Sequence, residues 1–321
     1  MYPRLFRIPI DSIATNWLGS SYNTAVVFGF VLAFFLIRRW GKHYGIHPSV
    51  MFEFVAWMAL WGLWGSRILH VIADGHFWDY VNVCRDPSLV DWKVDIRECR
   101  ALKGVWDAAK GVCHPSQTNC FAWADIFAGG FAFYGGFIGA ALFSVYFIRK
   151  NNLPPGKMID MTGWALMLGL AWGRIGCFLS GCCFGMRTDS VLGVIFPSKS
   201  AASRYQWEQG WLESYRVESF PVIPTQIYSA FAGIAIAAFA YFWLRPRKRF
   251  DGQVFCLAAG LYAFFRFMIE FIRRDERGGL LGLSTSQLFA LAFLGFCAWA
   301  WGYFKRRSEK ILAASGSRQN L

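Results

Sequence analysis

Charged residues are scarce in this chain: Asp, Glu, Lys and Arg make up only 17% of its 321 residues, whereas hydrophobic residues make up 55%. Soluble globular domains carry about 25% charged residues, so the composition argues against a soluble protein, although the length would accommodate two soluble domains. The sequence also lacks low-complexity linkers and internal repeats of fixed period. It therefore offers no boundary between separate modules, and we expect a single integral membrane domain over residues 1–321.

Long apolar segments recur along the chain, each about the length that crosses a hydrocarbon core of about 30 Å. They predict an all-α polytopic membrane protein with seven transmembrane helices and no room for a soluble domain. The connections include two longer insertions, residues 74–125 and residues 186–224. The predicted spans lie near residues 23–38, 51–73, 126–148, 158–180, 225–244, 254–272 and 285–304.

Acidic residues are missing from three short connections that are rich in Lys and Arg, and such connections face the cytoplasm. The two insertions mix basic with acidic residues and have a lower charge density. We therefore expect the N-terminus and both insertions outside and the C-terminus in the cytoplasm. The net charge of +13 follows from this bias and from attraction to anionic lipid, so no nucleic acid partner is expected. The basic groups are Arg38, Arg39 and Lys42; Arg149, Lys150 and Lys157; Arg245, Arg247, Lys248 and Arg249; and, in the tail, Lys305, Arg306, Arg307 and Lys310.

The first 21 residues lack an apolar run of the length that a secretory signal requires, so we expect no cleavable signal peptide. Residues 3–18 instead mix polar side chains with the apolar residues Leu5, Phe6, Ile8, Ile10, Ile13 and Trp17. This pattern predicts a short amphipathic segment in the outer membrane interface.

Nine cysteines fall into groups with different meanings. Four lie in the insertion 74–125, and an even set in an oxidising compartment predicts two disulfides with three possible connectivities. A zinc site that includes His114 is the competing interpretation, but no Cys-x-x-Cys pair supports it. Cys177, Cys182 and Cys183 end the fourth span, either as buried small side chains or with Cys182 as a covalent lipid carrier. The four insertion cysteines are Cys84, Cys99, Cys113 and Cys120.

Away from the segment ends, only three of the 33 basic residues lie inside the apolar segments: Arg67, Arg174 and Arg266. The predicted topology places all three in the outer half of the membrane. An Arg at mid-membrane costs about 2.5–3.5 kcal/mol, so such residues face a bundle interior, a partner or a water-filled cavity. Glu270 follows Arg266 by four residues and can neutralise it on the same helical face.

Arg67 and Arg174 have no acid at their depth, and this excess of positive charge predicts a buried anion site. Snorkelling to the outer surface is the structural alternative. An anion that enters from the outer leaflet is most simply a phospholipid phosphate, which the planar guanidinium fork binds in a bidentate manner. Tyr262, Arg266 and Glu270 share one stripe of a helix, because they are spaced by four residues.

Taken together, these residues resemble the pattern of a known family. In order and spacing, the chain resembles the prolipoprotein diacylglyceryl transferases, which are bacterial inner-membrane enzymes with seven spans. The resemblance covers roughly residues 23–304 without the cysteine-bearing insertion. The matching residues are Gly65-Ser66-Arg67, the glycine pair after Tyr134, the Gly-Arg-Ile-Gly run at 173–176 with Gly181 and Gly185, Pro224-Thr225-Gln226-Ile227-Tyr228, and Tyr262, Arg266 and Glu270.

The resemblance implies that the chain transfers the diacylglyceryl group of phosphatidylglycerol to the lipobox cysteine thiol of a prolipoprotein signal peptide and releases glycerol phosphate. It implies no metal or organic cofactor, a multi-pass location in the bacterial inner membrane, and an active site open to the outer leaflet and the periplasm, where both insertions lie. The catalytic candidates are Arg174, Arg266, Tyr262, Tyr134 and Glu270. The substrate-binding candidates are Arg67, Gly135, Gly136, Ser180, Gly181, Gly185, Gln226 and Tyr228.

These candidates have separate expected roles. Arg174 and Arg266 stabilise the leaving phosphate, and Arg67 either assists them or holds its helix in place. Tyr262 hydrogen-bonds the headgroup or the incoming thiol, and Glu270 orients Arg266.

The chain departs from the family pattern at the residues that handle protons. The family carries His where this chain has Tyr134, and a second family His is replaced by Ile223. Asn and Glu of the glycine-rich run are Cys177 and Cys182 here. Three accounts fit: the usual reaction with the thiol deprotonated by solvent, a related transferase with another acceptor or phospholipid, or a non-enzymatic lipid-binding or transport protein.

Overall fold

The computed structural model describes residues 20–73, 75, 77–92, 94, 96–126, 130–273, 279–280 and 282–316. The predicted interfacial segment 3–18 lies outside these residues. The described chain divides into two compact units. The first unit takes its residues from 1–51 and 153–321, and the second comprises 52–152.

Helices make up most of the described chain, and two short antiparallel hairpins accompany them. The π-helical segment Phe239–Leu244 and the short helix Arg245–Arg247 extend α8. In chain order the elements are α1 Ser21–His43, α2 Pro48–Ala73, α3 Phe77–Arg85, α4 Ile96–Ala101, β1 Val105–Asp107, β2 Val112–His114, α5 Phe133–Lys150, α6 Pro155–Ser180, α7 Ala201–Glu208, α8 Thr225–Ala238, α9 Gln253–Ile269, β3 Gly279–Leu280, β4 Leu283–Ser284 and α10 Thr285–Gly316.

Six helices in the described residues are long and apolar enough to cross a membrane: α1, α2, α6, α8 with its extension to Arg247, α9 with its extension to Ile272, and α10. The protein is thus a helical, multi-pass membrane protein. The predicted third span, 126–148, corresponds to α5, which begins only at Phe133. Gly130 has a φ of +75°, outside the right-handed helical region, so a continuous helix from 126 is excluded. The seventh span and the orientation stay predictions.

In the first unit, α6 is the central helix and packs against α1, α8 and α9. Its buried side chains are mostly small or flexible, such as Met161, Met167 and Ala171. The neighbouring helices direct large apolar side chains outward, for example Phe35 of α1 and Phe231 of α8. Large apolar groups on an outer surface suit a lipid environment, because lipid tails replace the core that water would demand.

A buried ion pair fixes one end of α6 against α9. Asp160 is fully buried and accepts a hydrogen bond of 3.0 Å from Lys248 Nζ. Its other oxygen accepts from the backbone N–H of Phe255, in the first turn of α9, at 3.1 Å. Asp160 therefore satisfies an N–H that a helix start would leave without an intrahelical partner.

Glycines allow α2 and α5 to approach within backbone contact in the second unit. A Cβ added to Gly65 would collide with the Gly135 carbonyl oxygen and lie 3.1 Å from Gly139 Cα. A Cβ on Gly135 would meet the Gly65 carbonyl oxygen in return, and one on Gly136 would lie 3.1 Å from Gly62 O. Small residues at these positions are thus explained by helix packing, which is common in membranes.

This contact yields a first prediction about stability. Gly65→Ala is expected to lower the midpoint of thermal unfolding, because the methyl group meets backbone and forces the helices apart at a cost of about 1–3 kcal/mol. Gly62→Ala, one turn away on the same helix, is the matched control, since its Cβ would lie 3.5 Å from Gly136 O, an ordinary contact. Unfolding midpoints of both variants in detergent test the point. Equal midpoints would show that the close approach does not limit stability.

The insertion of the second unit is closed by two disulfides, Cys84–Cys120 and Cys99–Cys113. The prediction of two disulfides is confirmed, and one of three connectivities is now assigned. The competing zinc site is wrong, because all four cysteines are consumed in pairs. His114 instead contacts the Val90 carbonyl oxygen through Nδ1 at 2.9 Å.

Candidate functional site

The C-terminal end of α6 turns sharply at a glycine. Gly181 adopts the left-handed conformation with φ +72°, which ends the helix because few residues other than glycine occupy that region readily. Cys183 is also left-handed, with φ +62°, although it carries a side chain. Two side chains at the start of α8 hold this turn: Thr225 Oγ1 donates to Cys183 O at 2.8 Å, and Gln226 Nε2 donates to Cys182 O at 2.7 Å.

The chain after this turn pairs with the segment that follows α9. Gly185 and Arg273 form an antiparallel bridge, and Met186 N donates to Ile272 O at 3.0 Å. A Cβ on Gly185 would lie 2.8 Å from both Ile272 O and Thr225 Cγ2. Gly185 therefore permits the backbone approach that brings Arg273 to the end of α6.

Glu270 lies next to two arginines, Arg266 of α9 and Arg273 just after the extension of α9. Its carboxylate is 8% exposed and forms an ion pair with Arg266, one turn earlier on the helix. Ser284 Oγ donates to the other carboxylate oxygen at 2.9 Å, and Arg273 Nε lies 3.9 Å from the first. The predicted pairing of Glu270 with Arg266 is confirmed.

Arg174 lies on α6, close enough to the Tyr262 side chain of α9 for the two to interact. Among the described residues, no carboxylate lies within 4.0 Å of its guanidinium. Arg266 is near enough to Arg174 and Arg273 for the three positive charges to interact. Arg266 and Arg273 thus lie against Glu270, and Arg174 lies near Tyr262 and brings a positive charge that no carboxylate of the described residues pairs. Such a site favours a bound anion.

Three free thiols lie beside these arginines. The Sγ atoms of Cys177, Cys182 and Cys183 all lie within 4.8 Å of one another. Hydrogen bonding with the thiols of Cys177 and Cys182 lowers the pKa of the Cys183 thiol, and the positive charges of Arg273 and Arg174 act in the same direction. Cys183 is therefore the favoured thiolate of the turn, whereas hydrogen bonding with Cys177 and Cys183 raises the pKa of the Cys182 thiol.

Arg67 belongs to the second unit and is only 1% exposed. Its Nε donates to Trp123 O at 2.9 Å, Nη1 to Gly130 O at 3.2 Å and Nη2 to Ala122 O at 3.0 Å. Its guanidinium carbon also lies 5.3 Å from the centre of the Tyr80 ring. Each of its three guanidinium nitrogens therefore donates to the irregular segment before α5. These contacts favour a structural role for Arg67 over a role at the phosphate.

The other predicted site residues are distributed over both units. Tyr134 is the second residue of α5, partly buried, with its ring 5.8 Å from that of Phe133. Ser180 is the last residue of α6, and Tyr228 lies in the first turn of α8; both are partly buried. Gln226 is fully buried, and its Oε1 has no hydrogen-bond partner within the described structure.

Nearly the whole chain is similar to one known protein family. A sequence profile of the prolipoprotein diacylglyceryl transferase family matches residues 5–303. The chain belongs to this family. Phosphatidylglycerol–prolipoprotein diacylglyceryl transferase of Neisseria meningitidis serogroup C is 31% identical over 309 residues, covering 90% of this chain and 93% of that protein. Phosphatidylglycerol–prolipoprotein diacylglyceryl transferase 2 of Clostridium perfringens is 28% identical over 274 residues, covering 85% and 86% respectively.

Several positions at which we expect this chain to differ from the pattern of the transferase family lie close to one another in the structure. Cys177 and Cys182, the two cysteines that we expect at positions of Asn and Glu in the family pattern, belong to the same thiol cluster as Cys183. Ile223 accepts a backbone hydrogen bond from Gly185 at 2.9 Å. The altered residues of the first unit are therefore concentrated at one turn, beside the arginines.

Three residues at or beside the group of Arg174, Arg266 and Glu270 were not predicted from the sequence. Arg273 lies beyond the apolar segment and was not counted among the intramembrane arginines, although its spacing of three residues from Glu270 was a usable signal. Ser284 reaches Glu270 from the start of α10, and no local pattern indicates that contact. Tyr22 of α1 lies close to Arg174 and the three thiols, one residue before the predicted span.

Proposed function

We propose that this chain transfers the diacylglyceryl group of phosphatidylglycerol to the lipobox cysteine thiol of prolipoproteins, the first step of bacterial lipoprotein maturation. The observation that carries the proposal is the pair of partly buried arginines Arg174 and Arg266, of which only Arg266 has a carboxylate partner among the described residues, in a chain that matches the family profile from residue 5 to residue 303. Such a pair suits a phospholipid phosphate. Its relatives in Neisseria meningitidis and Clostridium perfringens are named for the same donor and acceptor.

The reaction is an attack of sulfur on a glycerol carbon. The carbon–oxygen bond to the phosphate breaks, its electron pair stays with the departing glycerol phosphate, and a thioether forms. Negative charge shifts onto the bridging phosphate oxygen as that bond breaks. Preorganised donors aimed at such developing charge are the largest single contribution to many enzymatic accelerations.

Arg174 and Arg266 are the residues we assign to this phosphate. Arg266 is held by Glu270, which is itself fixed by Ser284, so its guanidinium is already positioned before substrate arrives. Arg174 has Tyr262 as its neighbour and no carboxylate among the described residues, so its charge remains available to an anion. Tyr262 then contacts both Arg174 and the headgroup or the incoming thiol.

The turn at the end of α6 supplies the remaining first-unit candidates. Gly181 and Gly185 shape the backbone, and Ser180 and Tyr228 provide hydroxyl groups for the glycerol headgroup. Gln226 Oε1 is a buried acceptor without a partner in the described residues, and a headgroup hydroxyl would satisfy it. In the second unit, we keep Tyr134 as a contact of the acyl chains or the acceptor peptide, whereas the packing of α2 against α5 accounts for Gly135 and Gly136.

The proposed location is the bacterial inner membrane, with the N-terminus and both insertions in the periplasm. The positive connections, the two disulfides and the family membership support this orientation. Both phosphatidylglycerol and a secreted prolipoprotein are accessible from that side. α5 would form the seventh span.

The function is tested by incubating the purified protein in phosphatidylglycerol vesicles with a lipobox peptide. We expect the peptide mass to rise by one diacylglyceryl group, with release of an equal amount of glycerol phosphate. A peptide with serine in place of the lipobox cysteine is the control and should stay unmodified. Lipid binding without any modified peptide or released glycerol phosphate would contradict a transferase and favour a lipid-binding protein.

Tyr134 yields a prediction about proton transfer. The pKa of a free tyrosine is near 10, so its hydroxyl is a poor base at neutral pH. We expect Tyr134→Phe to lower kcat by less than about tenfold, below the 10²–10⁴-fold contribution that general-base catalysis typically makes. A pH profile of kcat for the wild type and Tyr134→Phe is the measurement. A loss above about 100-fold in a folded variant would assign the proton transfer to this hydroxyl.

A further inference from the structure

The thiol cluster of Cys177, Cys182 and Cys183 has different surroundings from the cysteines that only fill space in the helix core. Buried cysteines that merely fill space, such as Cys256 and Cys297, lie among apolar side chains of α9 and α10. The three thiols of the cluster instead lie beside guanidinium groups, at a turn held by side-chain hydrogen bonds.

We propose that Cys177, Cys182 and Cys183 bind one Zn²⁺ ion through their three sulfurs and that its fourth coordination position takes the thiol of the acceptor cysteine. The second part of this inference depends on the proposed transferase function. The first part does not.

The geometry of the cluster fits such an ion. A Zn–S distance of about 2.3 Å in a three-sulfur arrangement places the sulfurs about 4 Å apart. The observed Sγ atoms all lie within 4.8 Å of one another, so small rotations of the side chains bring them to that spacing. Three protein ligands leave one position open, which is the arrangement of catalytic rather than structural zinc sites.

The turn is also preorganised in the way that metal sites require. Gln226 and Thr225 hold the carbonyl groups of Cys182 and Cys183, and Cys183 is fixed in a left-handed conformation. Cys177 lies one helical turn after Arg174, so it faces the same neighbours. Supporting contacts of this kind orient metal ligands and raise their affinity.

The charges of the surroundings favour zinc over a bare thiol cluster. Three thiolates and one Zn²⁺ carry a net charge of −1, which Arg273 is placed to offset, so the charge of Arg174 stays available to the phosphate. Thiolate ligands select zinc or monovalent copper, and zinc has no redox chemistry in an oxidising compartment. The site therefore suits Zn²⁺, and copper is an outcome that the test distinguishes.

The proposed step balances without an oxidant. The acceptor thiol binds as a thiolate and gives its proton to water, since a thiol that coordinates a metal ion is deprotonated. Its sulfur then attacks the glycerol carbon, the carbon–oxygen bond breaks, and glycerol phosphate departs with the electron pair. The thioether product is neutral and leaves the ion. This supplies the thiolate that Tyr134 is poorly suited to generate.

Metal content tests the first part. The full-length protein, purified under reducing conditions, is dialysed against zinc and then against metal-free buffer, and bound metal is measured by mass spectrometry. We expect one zinc per chain for the wild type and for the control Cys297→Ser, and none for the combined Cys177→Ser, Cys182→Ser and Cys183→Ser variant. No zinc in the wild type, equal zinc in the combined variant, or retention of copper alone would overturn the proposal.

Cobalt substitution tests the second part. The cobalt form should show thiolate charge-transfer absorption that changes when a lipobox peptide is added and stays constant with its serine analogue. An unchanged spectrum would contradict coordination of the acceptor. Transfer activity without bound metal would overturn the zinc proposal and leave the function intact. Zinc binding without transfer to any peptide would instead contradict the function and leave the metal site intact.

Discussion

Replacing Arg174 by alanine is expected to reduce kcat for diacylglyceryl transfer by about 10²–10³-fold, the usual cost of losing one donor to developing negative charge. Arg174 is the guanidinium of the cluster without a carboxylate partner among the described residues, and its charge is therefore the one most available to substrate. Arg266→Ala should lower kcat by a comparable factor and should also remove the ion-pair partner that Glu270 has in Arg266. The measurement is the rate of peptide modification in phosphatidylglycerol vesicles.

Arg187→Ala is the matched control for this loss of charge. Arg187 is an exposed residue of the first unit, which also holds Arg174. Its guanidinium carbon lies 3.9 Å from the centre of the Phe220 ring. We expect its removal to change transfer by less than about twofold, as for surface substitutions in general. If Arg174→Ala folds with an unchanged unfolding midpoint and keeps its rate, the phosphate assignment fails.

Arg67→Ala is expected to have the largest effect on stability. The substitution removes three hydrogen bonds to the carbonyl groups of residues 122, 123 and 130. Hydrogen bonds to charged groups contribute about 1.5–3 kcal/mol each, and whole domains are stable by only about 5–15 kcal/mol. We therefore expect a marked fall in the midpoint of thermal unfolding and faster proteolysis of the insertion.

Two variants make this prediction specific. Arg85→Ala removes an exposed arginine from the same unit and should leave the midpoint unchanged. Arg67→Lys keeps the charge but loses the planar fork that reaches several carbonyls, so its stability should be intermediate. A loss of transfer with normal midpoints in both Arg67 variants would instead assign Arg67 to the substrate.

Much of the fold follows from local sequence. The segment 158–180 was predicted as a span, and α6 runs from Pro155 to Ser180, because length and hydropathy are properties of the segment itself. The start of α5 was misplaced, since the positive φ of Gly130 breaks a run whose composition is otherwise suitable. The number of disulfides followed from composition and topology. Their connectivity did not, because it depends on which segments approach one another in space.

The candidate site likewise contains contacts that the local sequence predicts and contacts that it does not. The stripe of Tyr262, Arg266 and Glu270 was predictable, since helical spacing fixes their common face. The contacts of Arg67 were not, because its partners are carbonyl groups of an irregular segment. Arg273 enters through the backbone bridge with Gly185, a long-range contact without a local signal. The thiol cluster depends on the turn at Gly181, which brings residues five and six positions apart together.

A structure of the full-length protein in phosphatidylglycerol nanodiscs tests the central claim most directly. We expect density for one phospholipid whose phosphate oxygens accept hydrogen bonds from Arg174 and Arg266, with the ion pair between Arg266 and Glu270 retained. Arg67 should keep its three carbonyl partners in the same structure. Phospholipid bound elsewhere, with its phosphate on Arg67 or with Arg174 directed away from it, would contradict the account.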